Sequence, residues 1–416
     1  MEYLTIIGGA FIAWLILVTL FAPAIPYHVE ETIDPRSEHF VQALEATCNT
    51  AFDQRNKIDI FTDGPAFYPA MLDAVRQAQE SINLECYIFR KGKIAEQFVA
   101  AMCERARAGV QVTIVLDAIG SMGTFRTFGD RLKYAGVRLE KYRGISWHSL
   151  SRLNNRTHRE LLVVDSRVAF VGGAGVADWW ALPHGGKPMW RDMMARIEGP
   201  VVSNIQGVVA ENWLECCGEI LTSIKAYQPY RKAGTSPALV VKSSPSDRAT
   251  VSRVLFQMLV ESATSRVLVS TPYFLPDRAF RRAFARTSRR GVDVMVIVPG
   301  AATDQRWVRL ASRRMYGKLL KAGVRIFEYG GMTHVKTLLV DDLWAVIGTT
   351  NVDNRSFEHN DEVNLAVQDE AVAARLTVDF QRDLTKSREI TLKDWKRRPV
   401  WEKLVGTVAW ILERQQ

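Results

Sequence analysis

Two copies of one short pattern, separated by 176 residues, constrain the fold of this chain more than any other feature of its sequence. The first copy, His158–Asp165, reads H-R-E-L-L-V-V-D, and the second, His334–Asp341, reads H-V-K-T-L-L-V-D. The apolar run between each histidine and its aspartate is typical of a strand that is buried on both faces. Gly172-Gly173 follows the first copy at the place where Gly348-Thr349 follows the second. The chain is therefore predicted to contain a duplicated unit.

The duplication extends upstream of these two copies. Three further pairs of segments match in the same order, namely residues 108–115 with 290–297, 135–139 with 322–326, and 87–89 with 273–275. Each half alternates short apolar strands with amphipathic helical stretches, which predicts an α/β fold. The predicted division is a membrane anchor helix over 1–28, a connector over 29–57, a first half over 58–224, a linker over 225–238, a second half over 239–385 and a basic amphipathic segment over 386–416.

The N-terminal stretch from Tyr3 to Ile25 is almost wholly apolar and carries no charge. A helix of this length can span about 30 Å of hydrocarbon. A secretory signal peptide has Lys or Arg before a shorter apolar region, whereas only Glu2 precedes this one. We therefore predict an uncleaved transmembrane anchor, with a cleaved signal peptide as the alternative.

The charge balance points to acidic partners, because the net charge is +9 and the isoelectric point is about 9.3. Such a chain suits lipid head groups or nucleic acid, although a basic surface without a specific partner is the alternative. Cations crowd the helical segments 278–290 and 306–321, and residues 393–414 mix cations with Trp and aliphatic residues. All three stretches predict contact with an anionic membrane. The alternative is a solvated face for the two helical segments and packing on the domain body for residues 393–414. The five cysteines lack metal-ligand spacing and are predicted to be free thiols.

Two histidines at matched positions suit the chemistry of a phosphodiester. One imidazole can attack phosphorus to give a phosphohistidine, and a second can protonate the leaving alkoxide and then deprotonate the incoming alcohol or water. Lysines and amides can hold the phosphoryl oxygens while charge shifts. A core histidine is the usual interpretation of an isolated motif, but matched copies in two halves favour catalysis by His158 and His334. The other five histidines have no repeat partner and are predicted to be structural or exposed: His28, His39, His148, His184 and His359.

The pattern H-x-K-x(4)-D, followed by G-T-T-N at Gly348–Asn351, resembles that of the phospholipase D superfamily. W-R-D at 190–192, T-P-Y-F-L-P at 271–276 and N-x-D-x-R-S-F-x-x-N-x-E at 351–362 are similar to motifs of its bacterial cardiolipin synthases. This resemblance implies two α/β sandwich halves that face each other across a pseudo-two-fold axis. It also implies transfer of a phosphatidyl group from one phosphatidylglycerol to the hydroxyl of another, with release of glycerol and without a metal or nucleotide cofactor.

The resemblance also implies roles for single residues. His158 would be the nucleophile and His334 the acid and base, while Lys336 would hold the phosphoryl oxygens. Five more residues are expected beside the substrate or the imidazoles, in two groups. Asp165 and Asp341 would orient the imidazoles; Asn351, Ser356 and Glu362 would bind or support the substrate. The expected partners are an anionic phospholipid and the membrane, not nucleic acid. The expected location is the bacterial inner membrane, with a single anchor and the catalytic part on the cytoplasmic side.

The first copy departs from the family pattern at two places. Glu160 stands where the family pattern has lysine, and Ala174-Gly175 occupies the place of the family's asparagine after Gly172-Gly173. Three interpretations remain open. A neighbouring cation such as Arg156, Arg159 or Arg191 could replace the lysine, Glu160 could bind a hydroxyl or amine of a head group, or the protein could bind lipid without turnover. A phospholipase D hydrolase and a nuclease are further alternatives, although the predicted anchor disfavours the nuclease.

Overall fold

A computed structural model describes residues 8–10, 14, 25–144, 154–223, 227, 232–245 and 250–411. The first elements in chain order are helix α1 (Glu38–Cys48), β1 (Asp53–Thr62), α2 (Gly64–Gln77), β2 (Ser81–Cys86), α3 (Lys93–Arg107), β3 (Gln111–Asp117), α4 (Thr124–Tyr134) and β4 (Arg138–Tyr142). They are followed by β5 (Arg156–Thr157), β6 (Glu160–Val164), β7 (Val168–Gly172), a 3-10 turn (Asp178–Trp180), β8 (Met193–Glu198) and α5 (Val201–Cys217).

The second half repeats this order of elements. Its first elements are β9 (Ser236–Ser243), α6 (Val251–Ser262), β10 (Arg266–Ser270), β11 (Phe274–Leu275), α7 (Arg278–Arg289), β12 (Asp293–Pro299), α8 (Arg306–Lys321) and β13 (Arg325–Tyr329). The rest are β14 (Thr337–Val340), β15 (Trp344–Gly348), β16 (Val352–Asp353), a π-helical turn (Arg355–His359), β17 (Asn360–Gln368), α9 (Glu370–Leu384), β18 (Ser387–Glu389), α10 (Leu392–Lys396) and α11 (Val400–Ile411).

The strand order of the main sheet has the same sequence of elements on either side of its centre. It runs β18-β13-β12-β10-β14-β15-β17-β9-β1-β8-β7-β6-β2-β3-β4. Outward from the central antiparallel pair of β9 and β1, the two series match in order: β17, β15, β14, β10, β12 and β13 correspond to β8, β7, β6, β2, β3 and β4. Strand β18 is an additional edge strand. The predicted α/β fold with two duplicated halves is therefore confirmed.

The repeated strands are buried on both faces, as their apolar runs predict. In β6, Leu162 and Val164 pack into the core of the first half, whereas Leu161 and Val163 face a core shared by both halves. Leu339 of β14 reaches the same shared core from the other half. Successive side chains of a strand point to opposite faces, so one apolar run can serve two cores. This shared core holds the two motif strands in a fixed relation.

The predicted connector and the C-terminal segment both pack on the second half. Phe40 and Leu44 of α1 are buried in the core of that half, and the indole of Trp344 donates to the carbonyl of Pro35 at 2.8 Å. Strand β1 begins at Asp53, five residues before the predicted start of the first half, and β18 extends the sheet by pairing with β13. The sequence predicted only a connector with some helix here, and the surface on which α1 packs is not encoded locally.

The predicted anchor over 1–28 lies almost entirely outside the described residues. Within the ranges that the structure describes, none of the helices is long and apolar enough to cross a membrane. The five cysteines are free, as predicted: Cys48, Cys86 and Cys103 are buried, Cys216 is half-buried and Cys217 is exposed.

Candidate active site

His158 and His334 line one cleft of about 790 Å³ between the halves. The other residues in its wall that bear on the chemistry are Tyr87, Arg90, Arg156, Trp190, Tyr273, Asp304, Trp307, Asn351, Asp353, Arg355 and Asn360. Both halves contribute to this wall, and two imidazoles from separate strands share one space. The structure therefore brings together the two histidines that the repeat singles out.

The backbone and ring of His158 are held by the second half of the chain. Its N–H donates to the carbonyl of Asp361 at 2.9 Å, beside the short parallel pairing of β5 with β17. Its Nδ1 lies 3.1 Å from a carboxylate oxygen of Glu362 and 3.1 Å from the carbonyl of Thr349, so Nδ1–H is the donor. The Thr349 hydroxyl in turn donates to Glu362. These contacts fix the tautomer and leave Nε2 for the cleft.

His334 is held in the same way by the first half. Its N–H donates to the carbonyl of Arg191 at 2.7 Å, and its Nδ1 lies 3.0 Å from a carboxylate oxygen of Asp192. The rings of Trp180 and Trp190 pack on the imidazole with centroid separations of 5.5 and 5.7 Å. In each half, therefore, one residue accepts the backbone N–H of the opposite half's histidine, and the next residue binds its ring through Nδ1.

The predicted role of Asp165 and Asp341 is wrong, because neither carboxylate contacts an imidazole among the described residues. Asp165 accepts the backbone N–H groups of residues 79–81, and Asp341 accepts those of residues 264–266. Each begins a tight turn after its strand, with φ of 52° and 54°. Aspartate tolerates this left-handed conformation and can satisfy several donors at once. The motif aspartates thus fasten the hairpin at the end remote from the histidines.

Lys336 places a buried cation against His334. Its Nζ lies 2.9 Å from Nδ1 of His334 and donates to the His334 carbonyl at 2.8 Å. Burial lowers the pKa of Lys336 to about 8, with Asp192, Glu362 and Glu160 acting in the opposite direction. Burial and the charge of Lys336 hold the pKa of His334 well below its ordinary value. Burial also raises the pKa of Asp192 to about 7 despite the neighbouring Lys336. The second copy is thus a compact set of coupled charges.

Neither Glu160 nor Lys336, its equivalent in the second copy, is among the residues that line the cleft. One carboxyl oxygen of Glu160 accepts the N–H of Ile88 at 2.9 Å, and the other has no hydrogen-bond partner among the described residues. Burial raises the pKa of this carboxyl well above its ordinary value and so favours its neutral form. The carboxyl is thus directed at the backbone of Ile88, and its contact with substrate stays a prediction.

The two departures of the first copy occupy the same space. A Cβ atom at Gly175, the equivalent of Asn351, would lie 2.8 Å from a carboxyl oxygen of Glu160 and 2.3 Å from the carbonyl of Ile88. No side chain fits there without movement of the backbone. The loss of asparagine and the change from lysine to glutamate are thus physically linked.

Of the three cations predicted to replace the lost lysine, Arg156 alone lies in the described wall of the cleft. Arg159 is buried against Glu211, and Arg191 is buried against Asp383. Arg156 donates from Nε and Nη2 to the carbonyls of residues 155 and 143, and its buried Nη1 has no hydrogen-bond partner among the described residues. The first half therefore offers a guanidinium two residues before its histidine, where the second offers an ammonium two residues after.

The remaining predicted residues divide into two groups. Asn351 lines the cleft, and its buried Oδ1 is without a hydrogen-bond partner in the described part of the chain. Ser356 is buried outside the wall, with its N–H donating to Asp353 at 2.7 Å, and Glu362 supports His158 rather than substrate. Asp192, within W-R-D at 190–192, has a role that the sequence did not predict. A signal lay in the repeat, because Asp192 follows His158 by 34 residues and Glu362 follows His334 by 28, but the unequal spacing obscures the match.

Comparison with known proteins agrees with this geometry. A family profile described as "Cardiolipin synthase, PLD-like domain" matches residues 71–184 and 256–384. The chain is 31% identical to the major cardiolipin synthase ClsA of Bacillus subtilis over 88% of this chain and 76% of that protein. It is 32% identical to cardiolipin synthase A of Pseudomonas entomophila over 88% and 77%, respectively. The fold is also similar to that of phosphatidylserine synthase from Haemophilus influenzae, with a TM-score of 0.70, 13% identity, and coverage of 92% of this chain and all of that one.

Proposed function

This chain belongs to the cardiolipin synthase family of phospholipase D-like proteins, and on that premise we propose that it joins two phosphatidylglycerol molecules to make cardiolipin and glycerol. It is a phosphatidyltransferase of the cardiolipin synthase type. The observation that carries the proposal is the meeting of His158 and His334 in one cleft, each held through Nδ1 by a carboxylate of the opposite half. This arrangement leaves one ring nitrogen of each histidine for reaction.

In the first step, Nε2 of His158 attacks the phosphorus of one phosphatidylglycerol. An N–P bond forms, and the bond from phosphorus to the head-group glycerol oxygen breaks. His334 gives its proton to that oxygen, and glycerol leaves. The pKa of His334 is low in the free protein, but a bound phosphate adds negative charge to the cleft and raises it. Substrate binding therefore supplies His334 with the proton that the leaving group needs.

In the second step, neutral His334 takes a proton from the head-group hydroxyl of a second phosphatidylglycerol. The resulting oxygen nucleophile attacks the phosphohistidine, the N–P bond breaks, and cardiolipin and free His158 result. Transfer to this alcohol requires that water be kept from the intermediate. Tyr87, Trp190, Tyr273 and Trp307 give the cleft aromatic walls that suit this exclusion.

The phosphate oxygens need positive charge and hydrogen-bond donors throughout both steps. We assign this role to Lys336 and to the amide of Asn351 from the second half, and to the guanidinium of Arg156 from the first. Donors that are fixed before the reaction stabilise the developing charge without reorganisation. The cleft wall carries Arg90, Arg156 and Arg355 against Asp304 and Asp353, a balance of charge that favours an anionic substrate.

The membrane assignment belongs to the same proposal. We propose that the apolar residues 3–25 form a single-pass anchor in the bacterial inner membrane, with the catalytic halves on the cytoplasmic side. A lipid substrate and the basic net charge of +9 support this location.

Labelled phosphatidylglycerol in detergent micelles or vesicles tests the function directly. The purified chain should form cardiolipin and release an equal amount of glycerol, and His334→Ala should abolish both. Phosphatidic acid as the main product would instead identify a hydrolase that shares the catalytic residues. Absence of any turnover would overturn the proposal and leave a lipid-binding protein.

A further inference from the structure

A second cleft, remote from the histidines, is lined by cations. Its volume is about 650 Å³, and it lies between α7, α8 and the C-terminal segment. Six basic side chains form its wall: Arg281, Arg314, Lys318, Lys321, Arg398 and Lys403. No carboxylate of the described residues lines it. Glu402 is shared between Arg313 at 2.7 Å and Arg398 of the cleft at 3.9 Å, and Glu328 accepts from Arg309 at 2.9 Å, so these carboxylates offset only part of the charge of the six cations. The cleft therefore carries a surplus of positive charge.

Helix α11 borders this basic cleft and is fixed to α8 along one side. A Cβ atom at Gly406 would lie 3.0 Å from the carbonyl of Leu310, so the two backbones approach closely there. The pair of Glu402 and Arg313 binds the helices one turn away. Because a later residue of α11 contacts an earlier residue of α8, the two helices run antiparallel.

The outer side of α11 is apolar, and the described residues of the chain leave it exposed. Val400, Trp401 and Leu404 are 70%, 58% and 65% exposed, respectively, and lie within one helical turn of each other. An exposed apolar ridge costs free energy in water and commonly marks a contact surface. Here the ridge stands directly beside Lys403, which lines the basic cleft. Cations flanking an exposed tryptophan and aliphatic residues match the interface of an anionic bilayer.

Helix α8 connects this surface to the active site. Trp307, near its beginning, lines the catalytic cleft and is 63% exposed, whereas Lys318 lies in the basic cleft. Eleven residues of helix separate them, which corresponds to about 16 Å. Since α11 runs back along α8, it leads from the basic cleft toward the mouth of the catalytic cleft. A membrane that touches α11 would therefore also meet that mouth.

We infer that α11 and the basic cleft form a docking surface for an anionic phospholipid bilayer. The lipid phosphates lie in the basic cleft, the side chains of Val400, Trp401 and Leu404 enter the interfacial layer, and the catalytic cleft opens onto the lipid surface. Nucleic acid would satisfy the cations but would leave the apolar ridge in water, so the bilayer is the better match. This inference rests on the proposed function only for the reason why the protein would dock on lipid. Docking itself can be measured without turnover.

The test places a fluorophore on the ridge of the full-length chain in vesicles. Leu404→Cys, in a background with Cys216→Ser and Cys217→Ser, is labelled with an environment-sensitive dye, and Tyr134→Cys is the matched control. Tyr134 is 91% exposed on the first half, away from the proposed surface. With phosphatidylglycerol in the vesicles, the dye at 404 should shift to the blue and be quenched by spin-labelled lipid, while the dye at 134 should do neither. Equal behaviour at both positions would overturn the inference.

Substitution of lysines by neutral glutamine tests the role of the cations in docking. Lys318→Gln, Lys321→Gln and Lys403→Gln together should weaken docking by about fivefold for each lysine. The matched control removes three exposed cations of the first half, Lys91, Arg107 and Lys133, and should leave the signal at 404 unchanged. Insertion that is equally strong in purely zwitterionic vesicles would also contradict the inference. Docking without cardiolipin formation would contradict only the proposed function, and cardiolipin formation with an undocked α11 only this inference.

Discussion

The two halves hold their histidines alike but surround them differently. In both, the backbone N–H and Nδ1 of the histidine are received by adjacent residues of the opposite half, Asp361 and Glu362 for His158 and Arg191 and Asp192 for His334. The phosphate-side groups are not alike. Lys336 and Asn351 of the second half correspond to Glu160 and Gly175 of the first.

This difference separates what the fold requires from what the chemistry requires. The cross-half contacts hold the two halves together as well as the rings, so a change on either side disturbs the fold and the site. For the phosphate ligands we propose a looser requirement, in which one cation can be exchanged for another from a nearby position. The first half places Arg90 and Arg156 in the described wall of the cleft.

Removal of either histidine should cause the largest loss of activity, and the loss should be similar for the two halves. His158→Ala and His334→Ala should each lower kcat for cardiolipin formation by at least about 10³-fold, because one removes the nucleophile and the other the acid and base. Steady-state assays with labelled phosphatidylglycerol measure this loss. His184→Ala, at an exposed position, is the control and should be silent. Substantial turnover in either catalytic variant would break the proposed equivalence.

The supporting carboxylates should follow, again with similar effects in the two halves. Asp192→Asn and Glu362→Gln should lower kcat by between about 10² and 10⁴-fold, since an amide cannot hold the imidazole in the same tautomer and charge state. The pKa of Asp192 is raised to about 7, so its support for His334 should be present above that pH and fade below it. A pH profile of kcat should therefore lose part of its acid limb in Asp192→Asn. An unchanged limb would exclude this positioning role.

Lys336 and Glu160 should distinguish the halves most sharply. Lys336→Met should lower kcat/KM by about 10²-fold, because it removes charge beside the phosphate. Glu160→Gln should change it by less than about threefold, because a neutral amide replaces a neutral acid of the same shape. Glu160 also predicts a pH effect on stability: its folded pKa is raised above the ordinary 4.5, so the folded state binds the extra proton and wild-type stability falls as pH rises beyond that value.

Chemical denaturation across pH checks the second part of this prediction. Glu160→Gln lacks the proton linkage, so its stability relative to wild type should increase from pH 5 upward. Equal dependence of the two proteins on pH would mean that Glu160 ionises freely, and a large loss of activity in Glu160→Gln would mean that it contacts substrate.

Arg156 should have a smaller effect that tests the exchange of cations. Arg156→Gln should raise KM and lower kcat/KM by about tenfold, the cost of one hydrogen bond to a charged group. Arg156→Lys should recover part of the activity, and thermal unfolding of both variants separates this effect from the structural contacts of Arg156 with the carbonyls of residues 143 and 155 and with Asp117. Arg167→Gln, an exposed change in the same half, is the control. Activity equal to wild type in Arg156→Gln would leave the first half without a phosphate ligand.

The motif aspartates should have the smallest effect on chemistry. Asp165→Asn and Asp341→Asn should reduce the free energy of unfolding by about 1–3 kcal/mol, because backbone donors at the turn lose their charged acceptor. The kcat of the folded variants should stay within about twofold of wild type. Although burial opposes it, hydrogen bonding from residues 264–266 lowers the pKa of Asp341, so its contribution should be lost only as pH falls below about 4. Thermal unfolding and kcat, measured together, separate the two effects.

Much of this fold follows from the sequence alone. The apolar runs of the two copies predict strands buried on both faces, and the repeat predicts that two histidines meet. The error over Asp165 was avoidable in physical terms, since seven residues of extended strand span about 23 Å and carry the aspartate far from its histidine. The true partners could not be identified locally, because Glu362 lies 204 residues from His158 and Asp192 lies 142 residues from His334.

Other features depend on tertiary packing that no local pattern encodes. His334 and Lys336 precede strand β14, which begins only at Thr337, so their positions depend on the loop before the strand. Glu160 is held at the backbone by the N–H of Ile88, and Gly175 leaves room for its carboxyl, a contact that depends on the tertiary structure. The amphipathic pattern of α11 predicted a membrane face or a packed face, and the described residues show one side packed and the other exposed.

The most direct test of the central claim is to locate the covalent intermediate. Turnover of labelled phosphatidylglycerol is stopped with base, which preserves phosphohistidine, and the modified peptide is identified by mass spectrometry. We expect a phosphatidyl group on His158, absent in His158→Ala and formed much more slowly in His334→Ala. Cardiolipin formation with the adduct on another residue, or with no adduct at all, would contradict it.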